Sequence, residues 1–176
     1  MGEIKEILDA VGIERILKRM AFEILEVHKD TKNLALVGIH TRGVYLARRL
    51  QQYIEGLESF KIPLGEIDIT LYRDDWTQLS AQPMVKKTEI PFSLDGREII
   101  LVDDVLFTGR TIRSAMDAVM DFGRPARIEL AVLIDRGHRE LPIQSNYTGQ
   151  IVNTLHQQTI NVRMQEVDGA DKVELE

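Results

Sequence analysis

The run Ile99 to Thr111, IILVDDVLFTGRT, constrains this chain more than any other stretch. Its four leading apolar residues predict a strand buried on both faces, the pattern of a parallel sheet covered by helices. Two adjacent carboxylates, Asp103 and Asp104, follow at the C-terminal end of that strand, where open α/β sheets place their ligands. A short apolar bridge, Val105, Leu106 and Phe107, leads into Thr108-Gly109-Arg110-Thr111, which opens a helix. Free backbone N–H groups and the helix dipole favour a phosphate there. Gly109 permits close backbone approach, and the Thr108 and Thr111 hydroxyls add donors. Paired carboxylates bind sugar hydroxyls and hold a hydrated divalent cation. The set would therefore hold a ribose at one end and a phosphate at the other. A plain buried strand before a capped helix accounts for the apolar run and the cap. It does not account for the acid pair together with the whole Thr-Gly-Arg-Thr run.

The rest of the chain supplies a frame for this segment. Ile13, Ile16, Leu17, Met20, Ile24 and Leu25 recur at helical spacing and predict an amphipathic helix over 13–25. Leu34 to Ile39 (LALVGI) reads as a second buried strand, followed by the loop His40-Thr41-Arg42-Gly43 and a helix over Val44 to Ile54. Glu66 to Tyr72 (EIDITLY) alternates and predicts a strand. Residues 73–93 lose all periodicity, and a loop of that length in a compact domain is usually functional or mobile. After the strand Glu98 to Val102, a helix over Thr111 to Phe122 ends at Gly123, with Pro125 beyond it. Arg127 to Ile134 is a partner strand. Strand–helix–strand thus occurs twice, which predicts an α/β fold with a mostly parallel central sheet flanked by helices. Ile160 to Glu166 and Lys172 to Leu175 predict short strands of a subsidiary sheet.

Composition narrows the function classes. The 176 residues fit one domain, 1–176, and include no cysteine, which excludes disulfides and thiolate metal sites. His28, His40 and His156 show no ligand spacing for zinc. The formal net charge of −6 argues against non-specific nucleic-acid binding as the main task, although it leaves room for a local basic face. It also suits a protein that binds a polyphosphate with Mg²⁺, the metal carrying much of the positive charge. With neither a signal-peptide pattern at the N-terminus nor an apolar run of about 20 residues, a cytoplasmic protein with no membrane partner is expected.

The Ile99–Thr111 segment resembles the phosphoribosyl pyrophosphate signature of type I phosphoribosyltransferases. Three further runs sharpen the likeness: Gly38 to Gly43 (GIHTRG), Asp68 to Asp75 (DITLYRDD) and Asp135 to Ile143 (DRGHRELPI). Together they resemble the bacterial PyrR family, over nearly the whole chain. That resemblance implies the type I phosphoribosyltransferase fold with a small hood at about 135–165. It also implies the Mg²⁺-dependent reaction of uracil with phosphoribosyl pyrophosphate to give UMP and pyrophosphate, coupled to regulation of the pyrimidine biosynthetic operon through its mRNA leader. A homodimer or higher homo-oligomer is implied as well. A mainly RNA-binding, UMP-responsive attenuation protein with weak catalysis is the second reading. A purine or orotate phosphoribosyltransferase fits DRGHRELPI poorly.

The resemblance also assigns residues. Asp103 and Asp104 match the acidic pair that engages the ribose and, directly or through water, the metal. Val105 to Phe107 and Thr108, Gly109, Arg110 and Thr111 match the 5-phosphate loop. Thr41, Arg42 and Gly43 match the pyrophosphate loop, with a surface arginine opening a helix as the plain alternative for Arg42. Tyr72 to Lys87 corresponds to a loop that closes over the site and excludes water. Within it Arg73 and Lys86 are candidates to meet pyrophosphate or, equally, solvated charges, and Trp76 packs on a ligand or a neighbour. Arg136 is the first candidate for the base, the backbone near Ile160 the second, and His138 reads better as a structural histidine than as an acid/base. Lys18, Arg19 and Arg139 match an RNA-binding face. On that face, however, Phe22, Val27, Gln144 and Gln150 stand where polar or basic residues are usual, and 151–158 departs from the usual run.

Overall fold

The computed structural model describes residues 4–75 and 86–176. Its centre is a five-stranded sheet built from β2 (Leu34–Ile39), β3 (Leu64–Ile67), β4 (Glu98–Leu106), β5 (Arg127–Asp135) and β6 (Tyr147–Ile151). The strands lie in the order β3-β2-β4-β5-β6 and every neighbouring pair is parallel. Two helices, α1 (Ala10–Val27) and α2 (Arg42–Glu58), cover one face with Ile13, Leu17, Leu46 and Leu50, meeting Leu34, Leu36, Ile100 and Val102. The third, α3 (Arg110–Asp121), covers the other with Ile112, Ala115 and Val119, meeting Ala35, Val37, Ile99 and Leu101. Being buried on both faces is what makes the strands read as unbroken apolar runs.

A second sheet forms the hood. Its strands β1 (Lys5–Leu8), β7 (Ile160–Arg163) and β8 (Lys172–Leu175) are antiparallel in the order β1-β8-β7, and a short turn of helix, α4 (Gln165–Asp168), joins β7 to β8. The expected hood at about 135–165 is therefore corrected. Residues after Asp135 form a loop and then the fifth core strand, β6, while the hood draws one strand from the N-terminal region.

Two other expectations change. The strand predicted over Glu66 to Tyr72 stops at Ile67, because the Asp68 carboxylate accepts the Thr70 N–H at 2.8 Å and the Thr70 hydroxyl, folding the chain into a 3₁₀ turn over Thr70–Tyr72. Conversely β4 runs past Val102 to Leu106, pairing Asp103 with Val132 and Leu106 with Asp135. The strand is irregular at the acid pair, since Val102 and Val105 pack toward the α1/α2 face and Leu101 and Leu106 toward α3. Of the aperiodic stretch 73–93, Trp76 and Pro83 lie outside the described residues. Glu89 bridges to Glu66 through two N–H···O bonds of 2.8 Å.

Candidate active site

The chain leaves β2 toward β3 on one side of the sheet, and then returns to place β4 on the other. The carboxyl ends of β2 and β4 are therefore a topological switch point, where doubly wound sheets open a ligand crevice. Thr41, Arg42 and Gly43 leave the end of β2, and Asp103 to Thr111 leave the end of β4. The two segments meet closely. A Cβ on Gly43 would overlap the Val102 carbonyl oxygen and stand 3.1 Å from Asp103 Cα, so only glycine lets the start of α2 lie against β4 here. The His40–Thr41 peptide bond is cis.

The acid pair folds back on its own backbone. Asp103 Oδ1 accepts the Asp104 N–H at 2.9 Å, and Asp104 Oδ1 accepts the Val105 N–H at 2.8 Å. Burial, together with the neighbouring Asp104 charge, pushes the Asp103 carboxyl well above the usual carboxylate range. Asp104 is half-buried and lines a cavity of about 160 Å³ with Arg42, Ile160, Asn161, Val162 and Arg163. The core and the hood thus each form a wall, and three sequence candidates, Arg42, Asp104 and Ile160, come together there.

The loop after β4 is braced from outside. Thr108 O accepts the N–H groups of Glu140 at 2.9 Å and Leu141 at 3.2 Å, and Gly109 takes a left-handed φ of 92° that a side chain would resist. Thr108, Arg110 and Thr111, with Ser114, line a second cavity of about 150 Å³. The Arg110 guanidinium pairs with Glu140, at 2.6 Å, and with Asp74, which lines the same cavity.

The two loop cations part company. Lys86 stands at the start of α2, its ammonium donating to the Thr41 hydroxyl and its N–H to the Asp68 carboxylate. Arg73, grouped with it by the sequence, instead lines the cavity beside Thr108 and pairs with Asp75 at 2.6 Å. Near the end of β5, Arg136 is buried with its guanidinium 3.9 Å above the Phe107 ring. It donates to Leu155 O and His156 O at 3.1 and 3.3 Å, while its Nε has no partner among the described residues, and burial lowers its pKa. His138 sits at the edge of Phe107 and bonds Thr154 O at 2.8 Å, as a structural histidine would.

The three candidates for an RNA face are dispersed in role. Lys18 and Arg19 are half-exposed on α1 and paired with Glu14 and Glu23. Arg139, by contrast, turns inward, donating to Ile143 O and Phe107 O at 2.9 Å and pairing with Asp135. Its guanidinium holds the 135–143 loop against the Phe107 carbonyl, and it lines an open groove with Gln144 and Thr148.

Sequence reasoning missed Asp68, Asp74 and also Asp168, which pairs with Arg42 at 2.8 Å. Asp68 was visible in principle, since Asp-x-Thr is an Asx-turn pattern. Asp168 and Asp74 reach the site only through tertiary folding and carry no local signal. Among the described residues no three His, Asp or Glu side chains cluster to hold a metal ion. The two carboxylates are nevertheless hard oxygen donors at the crevice, and such a pair fits a Mg²⁺ that takes its remaining ligands from substrate phosphates and water. No helix among the described residues is long and apolar enough to cross a membrane.

Comparison with known proteins agrees with this geometry. Residues 3–166 match the model of the phosphoribosyl transferase domain. The chain is 56% identical over 171 residues to the bifunctional protein PyrR of Pelotomaculum thermopropionicum, covering 97% of this chain and 94% of that one. It is 54% identical over 170 residues to the bifunctional protein PyrR of Thermus aquaticus, with the same coverage. Among solved structures it resembles the hypoxanthine phosphoribosyltransferases of Staphylococcus aureus (TM-score 0.72, 17% identity, covering 96% and 90% of the two chains) and Trypanosoma cruzi (TM-score 0.73, 14% identity, covering 97% and 95%). At that identity the likeness speaks for the fold. The chain belongs to the type I phosphoribosyltransferase family, among the bifunctional PyrR proteins.

Proposed function

We propose that this chain is a uracil phosphoribosyltransferase that also regulates pyrimidine biosynthetic genes in response to uridine nucleotides. The observation that carries the reading is the crevice between β2 and β4, where Gly43 packs against Asp103 and Arg42 lines a cavity with Asp104, with the Thr108–Thr111 loop leaving the same end of β4 and lining a cavity of its own. In the reaction the bond from the ribose anomeric carbon to pyrophosphate breaks, a bond to uracil forms, and the uracil proton passes to solvent. As charge gathers on the leaving pyrophosphate, catalysis rests on positioning and electrostatic stabilisation. Asp103 and Asp104 hold the ribose hydroxyls, the Thr108–Thr111 backbone holds the 5-phosphate, and Thr41, Arg42 and Lys86 face the pyrophosphate. Asp103 and Asp104 are the residues that would hold a Mg²⁺, which would neutralise phosphate charge when bound with the substrate. The base lies toward Phe107, Arg136 and the Ile160 backbone. We place the protein in the cytoplasm, as a dimer or larger homo-oligomer, with the operon leader RNA as its regulatory partner.

Turnover on uracil, hypoxanthine and orotate side by side tests the acceptor. Uracil alone should be converted, and Asp104→Asn should lower that rate by about 100-fold or more. Equal turnover on hypoxanthine overturns the uracil assignment. Binding of leader RNA, titrated with salt and with or without UMP, tests the regulatory half, which requires UMP-stimulated, sequence-dependent binding.

A further inference from the structure

Arg42 is the one strong cation of the Thr41–Gly43 loop, and an arginine side chain at a helix start is mobile unless something fixes it. Here something does. Asp168, in the hood helix α4, accepts from Arg42 Nε at 3.1 Å and from a terminal nitrogen at 2.8 Å, a side-on bidentate pair. The carboxylate is itself fixed, since it also accepts the Met164 N–H at 2.8 Å. One turn-pair further along α2, Arg49 grips the same hood segment through Glu166 and Asp171, each at 2.9 Å or closer. The second clasp secures the hood. The first fixes the direction of a guanidinium.

We propose that Asp168 is a positioning residue for pyrophosphate, acting through Arg42. A side-on pair occupies the Nε edge of the guanidinium and leaves the opposite terminal nitrogen without a partner among the described residues, able to donate. Arg42 lines the crevice with Asp104, so the free nitrogen serves the polyanion there. The inference rests on the proposed role of Thr41–Gly43 as the pyrophosphate loop. It adds that the hood contributes to leaving-group binding as well as to covering the base. A carboxylate that merely competed with pyrophosphate for Arg42 would act in the opposite sense.

The test is a double-mutant cycle on the full chain, with pyrophosphate affinity read by calorimetry and KM for both substrates by steady-state kinetics. Asp168→Asn should weaken pyrophosphate binding and raise the KM for phosphoribosyl pyrophosphate by about ten-fold, while leaving the KM for uracil unchanged. In an Arg42→Gln background the same change should have no further effect. Asp168→Glu, which keeps the charge but displaces it, should fall between, and carries the comparison if the Asn variant does not fold. Glu166→Gln with Asp171→Asn should lower the melting temperature without this selective KM change. Tighter pyrophosphate binding in Asp168→Asn, an equal loss on uracil, or an undiminished effect in the Arg42→Gln background overturns the proposal. If Arg42→Gln itself leaves pyrophosphate binding intact, the loop assignment falls instead.

Discussion

At Gly43 the crevice has no room for a side chain, because the Val102 carbonyl already occupies the place of a Cβ. Gly43→Ala must push α2 and β4 apart, at a cost of about 1–3 kcal/mol. A lower melting temperature and weaker pyrophosphate binding are the expected outcomes. Asp103 carries a different tension. Its carboxyl binds a proton more tightly in the folded protein than in the unfolded chain, because burial and Asp104 disfavour its charge. Stability attached to this group is therefore present below its unfolded pKa of about 4 and is lost as pH rises through the higher folded value. Asp103→Asn should melt at a higher temperature than the parent at pH 8, with the gap closing toward pH 4, and should lose activity. No gain in melting temperature at pH 8 would show that the carboxyl is not held in this state. Residues that work this way sacrifice stability for a site.

Among elements, the core strands were legible and the edges were not. LALVGI announces β2 to the residue, because a strand buried on both faces leaves an uninterrupted apolar run. β1 and β6 are short, half-buried and polar in sequence, and are strands because β8 and β5 give their backbones partners. The segment Asp103–Thr111 was readable because its chemistry is contiguous. Asp168 was not, because its meaning comes from Arg42, far away in the chain. The same holds for His28 just after α1, which bonds Glu98 and Glu129 at 2.7 Å each, while Tyr147 donates to Glu129 at 2.9 Å. This buried knot joins α1, β4, β5 and β6, and burial together with Glu129 pushes the Tyr147 hydroxyl up. His28→Leu removes the buried donor between Glu98 and Glu129, leaving them Arg127 at 3.1 and 3.3 Å as their shared partner, and should destabilise by about 1–3 kcal/mol, seen in urea unfolding. Catalysis at fixed temperature should be little changed, since the knot lies at the amino ends of β4 and β5, opposite the crevice.

At the scale of the molecule, the parallel sheet supplies the acid pair and the Thr108–Thr111 loop, and the antiparallel hood supplies the wall opposite Asp104. Deleting residues 172–176 removes β8, and with it the partner of both β1 and β7. Circular dichroism should still report the core sheet, while pyrophosphate affinity should fall by more than about ten-fold. Unaltered affinity would show that the hood is dispensable. The pairing of Lys5 with Leu175 has a further consequence, in the order of folding. The core strands β2 to β6 are joined by far shorter connections, whereas the hood must bring two segments about 170 residues apart into register. Until that distant pair closes, β1 and β7 share no partner and the segment that carries Asp168 is not held beside Arg42.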